Sequence, residues 1–297
     1  MRFAHYTLRH RYLVMLRWRD GGLIYILPWS IVKVITSRDN PFFKQLVKLA
    51  ASTKQRRAAD LVLLDGVHLV SAYRRALGSP ENVIVSESGY KDAEIMQLLA
   101  ERGERQEAVT MLSDALFRQI SPVKTPIGIM ALVPILSREA IPVHEGENFC
   151  VLLEAIQDPG NVGSILRSAA AAGASDVYLS DGCADAWSPK TLRGAMGAHF
   201  MIRIHEQVDL LDMARNFDGR VIAANLKAKQ NLYQAQLIGP VAFVFGNEGA
   251  GLSEEILGTA DEQITIPMPG GTESLNAAAA AAVCFFERVR QLEAGSA

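Results

Sequence analysis

Short, continuously apolar segments alternate with helical segments from residue 150 onward, and glycine-bearing turns join them. The segments that predict strands are residues 150–156, 177–180, 221–225, 241–245 and 264–267. Those that predict helices are residues 162–172, 210–216, 253–257 and 275–291. Strands without polar alternation are buried on both faces, which is typical of a parallel sheet covered by helices. The sequence therefore predicts an α/β fold with a parallel sheet here.

The part of the chain before residue 150 has a different organisation. Residues 32–135 mix short helices and strands and predict a separate small α/β domain. Residues 136–148 are polar, lack periodicity and predict a linker. Residues 1–31 are rich in arginine, and their apolar run is too short for a secretory signal. We expect residues 1–31 to be an extension outside any packed domain, and residues 149–297 to form the second domain.

Composition limits the location and the partners of the chain. The three cysteines are far apart and not in a metal-ligand spacing, which favours isolated thiols in a reducing cytoplasm and no metal site. No apolar run is long enough to span a bilayer, so no membrane partner is expected. The formal net charge is -2, so a nucleic-acid partner requires a local basic patch.

The first polar turn follows the predicted strand 150–156. The residues from Asp158 to Asn161 read Asp-Pro-Gly-Asn, a strong turn signal. Asn161 is suited to cap the next helix, and Arg167 on that helix is expected near the carboxyl edge of the sheet, where ligands bind in open parallel sheets. A capping asparagine and a solvent-facing arginine would explain the same residues without a function.

The second turn, residues 246–252, lies between a predicted strand and a helix capped by Ser253. Its glycine spacing is neither the dinucleotide fingerprint nor a phosphate loop, which argues against a nucleotide-dependent oxidoreductase. Glu248 would repel a pyrophosphate and suits a cationic or polyhydroxylated ligand better. A plain strand-to-helix turn is the alternative.

The third turn, residues 266–276, combines Pro267 and Pro269 with a pair of glycines. The prolines interrupt backbone pairing and the glycines allow a tight reversal. Ser274 and Asn276 follow at the start of an alanine-rich helix, where free amide groups point toward the same edge. A helix cap would also explain Ser274. Because all three turns follow predicted parallel strands, we expect them to share one site.

These turns resemble the three motifs of SpoU/TrmH-type RNA ribose 2′-O-methyltransferases of the SPOUT superfamily. The matching residues are Asn161-x-Gly163 with Arg167, Gly246-x-Glu248-x-x-Gly251, and the segment from Ile266-Pro267-Met268 to Ser274-Leu275-Asn276. The resemblance implies a C-terminal SPOUT α/β-knot, a parallel sheet with a deep trefoil knot, preceded by an L30e-like RNA-binding domain. It also implies a homodimer with active sites near the subunit interface.

The activity that the resemblance implies is S-adenosyl-L-methionine-dependent 2′-O-methylation of a ribose in structured RNA. A two-domain chain with an L30e-like front end favours 23S ribosomal RNA. A transfer RNA methyltransferase and a non-catalytic RNA-binding ribosome-assembly factor are the alternatives. Intact polar residues in all three motifs argue against the non-catalytic alternative.

Roles for individual residues also follow from the resemblance. The implied catalytic residues are Arg167, Asn161, Glu248, Ser274 and Asn276. The implied cofactor-binding residues are Gly246, Ile266, Met268 and Leu275. Family accounts make the arginine a general base, but a guanidinium stays protonated in proteins. Holding an RNA phosphate and stabilising the developing alkoxide is an equally tenable role for Arg167.

The start of the small domain is the best candidate for an RNA-binding surface. Its basic residues are Lys33, Arg38, Lys44, Lys48, Arg56 and Arg57. Phosphate binding requires such clustered positive charge. The alternative is a solvated helix face, which has the same composition.

Overall fold

A computed structural model describes residues 4–8, 11–17, 23–26, 31–101, 107–137, 141 and 148–295, with only the backbone described up to residue 31. The chain divides into two compact units, residues 1–135 and 136–297. No helix in the described ranges is long and apolar enough to cross a membrane.

The first unit combines a mixed sheet with five helices among its described residues. Its elements are β1 (Ala4–Leu8), β2 (Arg11–Arg17), β3 (Leu23–Ile26), β4 (Ile31–Ile35), α1 (Pro41–Ala51), α2 (Thr53–Ala59), β5 (Leu61–Asp65), α3 (Val67–Leu77), β6 (Asn82–Ser86), α4 (Ala93–Ala100), β7 (Ala108–Leu112), α5 (Asp114–Ile120) and β8 (Ile129–Pro134). The strand order is β1-β2-β3-β4-β7-β6-β8-β5. The unit is α/β, as predicted.

Helix α1 shows how local sequence builds this unit. Pro41 occupies the first helical turn, and the Asn40 side chain accepts hydrogen bonds from the Phe42 and Phe43 N–H groups at 3.0 and 3.4 Å. Phe43, Leu46 and Leu49 are buried in one cluster with side chains of the sheet and α5. The helix therefore keeps its lysines on the side away from the core.

Residues before 32 add backbone pairing to this sheet. Strands β1, β2 and β3 pair antiparallel in sequence order, and β3 pairs antiparallel with β4. Their side chains lie outside the described residues, so the expectation that residues 1–31 have no packed role stays a prediction. Most of the predicted linker, residues 138–140 and 142–147, also lies outside the described residues.

The second unit is built on a parallel sheet. Its elements are β9 (Phe149–Leu153), α6 (Pro159–Ala171), β10 (Asp176–Leu179), α7 (Pro189–Ala195), β11 (Arg203–His205), α8 (Leu210–Arg215), β12 (Arg220–Ala224), β13 (Gln230–Asn231), β14 (Val241–Phe245), α9 (Glu254–Thr259), β15 (Glu262–Thr265) and α10 (Ala277–Gly295). Each pair of neighbouring strands runs parallel. The predicted parallel α/β sheet is confirmed, whereas α7, β11 and β13 escaped the sequence analysis.

The strand order brings distant parts of the chain together. The order is β11-β10-β9-β14-β12-β15-β13, so β14 lies between β9 and β12, and β15 lies between β12 and β13. The segments that follow β9, β12, β14 and β15 consequently leave the same edge of the sheet side by side. The trefoil knot stays a prediction.

Glycines in α6 and α7 allow these two helices to pack closely. A Cβ atom on Gly163 would lie 2.6 Å from the Thr191 carbonyl oxygen and 3.0 Å from the Ala195 nitrogen. Real Cβ atoms do not approach backbone so closely, and only glycine fits at this crossing. Gly163 of the first motif is thus explained by packing, which holds the start of α6 at the edge of the sheet.

Candidate active site

A cleft of about 970 Å³ lies at the carboxyl edge of the parallel sheet. The turns after β12, β14 and β15 line it. All four residues predicted to bind a cofactor are in its lining: Gly246, Ile266, Met268 and Leu275. Three residues predicted to be catalytic line it as well: Glu248, Ser274 and Asn276. The structure therefore gathers the second and third sequence motifs around one cavity.

The loop after β14 is held in shape by Asn247, which the sequence analysis did not select. Its Nδ2 donates to the Ala155 carbonyl oxygen at 2.8 Å, and its Oδ1 accepts from the N–H groups of Gly249 and Ala250 at 2.9 and 3.0 Å. The sequence signal for this role was an asparagine followed by Gly249, which is typical of an Asx turn.

The far end of the same loop is held by Glu154, a second residue that the sequence analysis missed. Its carboxylate accepts hydrogen bonds from the Ser253 N–H group at 2.8 Å and from the Ser253 hydroxyl at 2.7 Å. A Cβ atom on Gly246 would overlap the backbone of Gly251 and Leu252. The loop is therefore closed tightly on itself, and its backbone forms part of the cleft wall.

A chain of hydrogen bonds joins the three motifs. Asn276 Nδ2 donates to Asn161 Oδ1 at 2.9 Å, and Asn161 Nδ2 donates to Glu248 Oε1 at 2.8 Å. The Glu248 carboxylate also accepts from the backbone N–H groups of Gln157 and Asp158 at 3.3 and 3.4 Å. Residues separated by 115 positions are thereby brought into contact.

These donors determine the charge of Glu248. Partial burial raises the pKa of its carboxyl, but the hydrogen bonds from Asn161 and from backbone N–H groups outweigh burial and lower the pKa below its ordinary value. Glu248 is therefore ionised at neutral pH. It is a weak proton acceptor and a strong anchor for the amide of Asn161.

The start of α6 corrects one expectation. Asp158, not Asn161, caps the helix: its Oδ1 accepts from the N–H groups of Gly160 and Asn161 at 2.6 and 3.0 Å. The reason is that the helix begins at Pro159, one residue after Asp158, so Asn161 already lies in the first turn. Its side chain is consequently available to connect Asn276 to Glu248.

The third motif ends at the start of α10. Asn276 Oδ1 accepts hydrogen bonds from the N–H groups of Ala278 and Ala279 at 3.0 and 3.3 Å, so Asn276 caps the helix while its Nδ2 reaches Asn161. Ser274 is exposed at the cleft. The alternative explanation of Ser274 as the cap of this helix is therefore wrong, because Asn276 is the cap.

Arg167 is not brought into this arrangement. It is exposed on α6 and does not line the cleft. Among the residues that the structure describes, it forms no hydrogen bond and no ion pair. The geometry of one chain thus unites Asn161, Glu248 and Asn276, with Ser274 beside them, and leaves Arg167 free.

The predicted basic surface of the first unit needs one correction. Lys33, Arg38, Lys44, Lys48 and Arg57 are exposed. Arg56 is only 4% exposed, and its guanidinium donates to the Leu49 carbonyl oxygen and the Thr53 hydroxyl, each at 2.9 Å. The prediction that Arg56 contacts RNA at the surface is wrong, because the helix α2 turns this residue toward the carboxyl end of α1.

A metal site has no support in the described ranges. No cluster of three or more His, Cys, Asp or Glu side chains there could hold a metal ion. The three cysteines are free thiols.

The matches to known families cover both units. Residues 148–286 match the SpoU rRNA Methylase family, and residues 40–131 match an MRM3-like substrate binding domain. An uncharacterised tRNA/rRNA methyltransferase of Synechocystis is 32% identical to this chain, covering 90% of this chain and 97% of that protein. The 23S rRNA (guanosine(2553)-2′-O)-methyltransferase RlmP of Bacillus subtilis is 33% identical, with coverage of 86% and 98%.

Solved structures agree with these matches. The SpoU methyltransferase AviRb from Streptomyces viridochromogenes, in complex with the cofactor AdoMet, superposes with a TM-score of 0.74 at 26% identity, covering 86% of this chain and 100% of that chain. An RNA 2′-O ribose methyltransferase superposes with a TM-score of 0.75 at 30% identity, with coverage of 88% and 99%. The chain therefore belongs to the SpoU rRNA methylase family, as its three motifs predicted.

Proposed function

We propose that this protein transfers a methyl group from S-adenosyl-L-methionine to the 2′-hydroxyl of a ribose in 23S ribosomal RNA. One observation carries the proposal: the hydrogen-bonded chain from Asn276 through Asn161 to Glu248 beside a cleft lined by two of the motifs. The similarity to RlmP, which is named as a 23S ribosomal RNA 2′-O-methyltransferase, supports the choice of reaction and substrate. Cytoplasmic action is part of the same proposal.

The cleft fits S-adenosyl-L-methionine. Ile266, Met268 and Leu275 supply apolar surface for a nucleoside, and the closed loop from Gly246 to Gly251 supplies backbone. Acidic side chains in the lining suit a cationic ligand. When bound, this cofactor supplies an electrophilic methyl group on a sulfonium. The remaining work is to place the ribose hydroxyl in line with that group and to help remove its proton.

The hydrogen-bond chain supports positioning roles for its members. Asn161 donates through Nδ2 and accepts through Oδ1, so both sides of its amide are occupied and its orientation is set. Asn276 is held both by this contact and by the start of α10. Glu248 anchors the chain as a carboxylate. Ser274, exposed at the cleft, is the polar group best placed to contact the incoming ribose.

Arg167 gives a reason to include a homodimer in the proposal. It lies on the exposed side of α6, outside its own cleft. Helix α6 packs against α10, where the Phe286 side chain is 50% exposed. If a second copy of the chain covers this apolar surface, Arg167 of the first copy would lie near the cleft of the second copy. There the guanidinium would hold an RNA phosphate and stabilise the developing alkoxide.

The test is methyl transfer from tritium-labelled S-adenosyl-L-methionine to RNA isolated from a strain that lacks this gene. We expect label in 23S ribosomal RNA, and we expect one 2′-O-methyl mark missing from that strain. Label in transfer RNA instead would show that transfer RNA, and not 23S ribosomal RNA, is the substrate. No label in any RNA, with RNA binding intact, would favour the assembly factor that the sequence left open.

A further inference from the structure

The charged residues that line the cleft are unevenly divided by sign. Three are acids, Glu248, Glu254 and Glu273, and within the described lining Lys227 is the only cation. The proposed cofactor carries a positive sulfonium, a positive ammonium and a negative carboxylate at neutral pH. Acidic side chains attract the first two groups and repel the third. Among the charged side chains of the described lining, only Lys227 can therefore attract the carboxylate of the cofactor.

The backbone at Lys227 is held in a fixed turn after β12. The Lys227 N–H group donates to Asn225 Oδ1 at 3.0 Å, and the Ala228 N–H group donates to the Asn225 carbonyl oxygen at 3.1 Å. Asn225 is itself anchored, because its Nδ2 donates to Gln263 Oε1 at 2.9 Å. The turn thus fixes where the lysine side chain starts, although the side chain itself is exposed.

The position of β12 places this turn between the two cofactor loops. Ala223 pairs with Val244 of β14, and Ala224 pairs with Ile264 of β15. The strands end within two residues of these pairs, and the loops that begin with Gly246 and Ile266 follow. A lysine just beyond β12 is therefore flanked by both walls of the cleft.

The Lys227 ammonium has no hydrogen bond or ion pair within the described part of the chain. Lys229 provides a matched comparison, because it is exposed on the same turn but does not line the cleft. A surface lysine without a function would behave like Lys229.

We propose that Lys227 binds the carboxylate of the methionine moiety of S-adenosyl-L-methionine and so selects for the intact amino-acid end of the cofactor. This inference rests on the proposed function. It adds a residue outside the three motifs to the cofactor site. A charge-assisted hydrogen bond of an exposed lysine explains a moderate gain in affinity rather than the whole of it.

The test compares S-adenosyl-L-methionine with its decarboxylated analogue by calorimetric titration of the full chain. We expect the unmodified protein to bind the analogue about five- to tenfold more weakly, as loss of one such contact implies. Lys227→Gln should bind S-adenosyl-L-methionine weaker by the same factor and should no longer distinguish the two ligands. Lys227→Arg should retain the preference, and Lys229→Gln should leave both affinities unchanged.

Three results would overturn the assignment. They are an unchanged affinity of Lys227→Gln for S-adenosyl-L-methionine, an equal loss for both ligands, and a loss confined to RNA binding, which would make Lys227 a phosphate contact. The proposed function fails separately, and with it this inference, if the unmodified protein binds neither ligand.

Discussion

The two edges of the parallel sheet in the second unit both carry connected polar side chains, but they are built differently. At the carboxyl edge, Asn276, Asn161 and Glu248 lie on loops or at helix starts and form an open chain beside a cleft. At the amino edge, Asp176 is the first residue of β10 and is 3% exposed. It accepts hydrogen bonds from Arg203 Nε and from His205 Nε2, each at 2.8 Å.

The amino-edge cluster is closed. The His205 ring stacks on Tyr178 with 4.4 Å between centroids, and the Arg203 guanidinium contacts both carboxylate oxygens of Asp176. Burial raises the pKa of Asp176, but the hydrogen bonds from His205 and Arg203 outweigh it and hold the pKa well below its usual range. The amino-edge groups are largely buried and paired with one another, so we expect them to serve stability. The carboxyl-edge groups are also hydrogen-bonded but lie beside a cleft, and under the proposed function they position a substrate.

The largest expected effect is a loss of stability when the buried cluster at the amino edge is broken. Asp176→Ala leaves Arg203 without its buried partner, so we expect the free energy of unfolding to fall by about 3 to 5 kcal/mol. Urea denaturation measures this loss. Asp181→Ala, at an exposed acid just beyond β10, is the control and should change stability by less than about 0.5 kcal/mol. If Asp176→Ala lowered the free energy of unfolding as little as Asp181→Ala does, the distinction between the two edges would not hold.

Glu248→Gln tests the carboxyl edge. It removes the charge that anchors Asn161, and we expect kcat/KM for methyl transfer to fall about 100-fold, equivalent to about 2.7 kcal/mol of transition-state stabilisation. Stability should fall by only about 1 kcal/mol, because Glu248 is partly exposed and a glutamine oxygen can still accept hydrogen bonds. Glu255→Gln, at an exposed acid of α9 that does not line the cleft, should leave activity unchanged. A large loss of stability with little loss of activity would contradict the comparison.

Mixed dimers extend this test to Arg167. Arg167→Ala and Glu248→Gln should each be nearly inactive alone. If Arg167 acts at the cleft of a second copy, a mixed dimer contains one complete site, so an equal mixture should recover about a quarter of the activity by random pairing of subunits. A mixture that stays inactive, although its subunits have exchanged, would contradict a role of Arg167 at the cleft of a second copy.

His199 is a single buried polar side chain of the second unit, and we expect its effect on stability to be smaller and to depend on pH. It is fully buried, its Nε2 donates to the Ala186 carbonyl oxygen at 2.6 Å, and burial lowers its pKa to about 4. Below the ordinary histidine pKa the unfolded chain binds the proton more readily than the folded chain does. Stability from this group is therefore complete above about pH 6.5 and is lost as the pH falls toward 4.

Between pH 7 and pH 5 this histidine should cost about 2 kcal/mol of unfolding free energy. Urea denaturation of the unmodified protein and of His199→Gln, which cannot titrate at this position, at both pH values measures the contribution of His199 to the free energy of unfolding. The pH dependence of the variant should be shallower by that amount. Identical slopes for the two proteins would show that protonation of His199 does not contribute to the pH dependence of stability.

The smallest expected effect concerns the first unit. Lys48→Glu reverses one exposed charge of the basic surface on α1, and we expect the affinity for ribosomal RNA to fall a few fold, with a lower salt dependence because about one phosphate contact is lost. Arg75→Glu makes the same charge change at an exposed position of α3 outside that surface. Equal weakening by both variants would indicate general repulsion rather than a binding surface.

Much of the second unit could be predicted from local pattern. Continuous apolar strands and glycine turns encode a parallel sheet with polar loops at its carboxyl edge, and both were found. Asp158 and Asn161 show the limit of this approach. Either is a good cap by residue type, and the choice depends on where α6 begins, which is determined partly by Pro159 and partly by its packing on α7.

The basic surface shows a second limit. Arg56 and Arg57 are adjacent and chemically identical, so composition assigns them the same role. Only the helix α2 decides between them, because it turns Arg56 toward the Leu49 carbonyl oxygen and leaves Arg57 in solvent. Helix direction at such a short polar segment depends on contacts with α1 that no local pattern reports.

The sequence by itself determined the family, the parallel sheet and the residue types of the site, because each is encoded within a few consecutive positions. Only the tertiary structure decided which of those residues meet. Asn276 reaches Asn161 across 115 positions because β14 and β15 insert between earlier strands. With the same strand order, Arg167 lies outside the cleft of its own chain, whereas Lys227 lines that cleft. Strand order is a property of the whole packed sheet, and for that reason no single segment could reveal it.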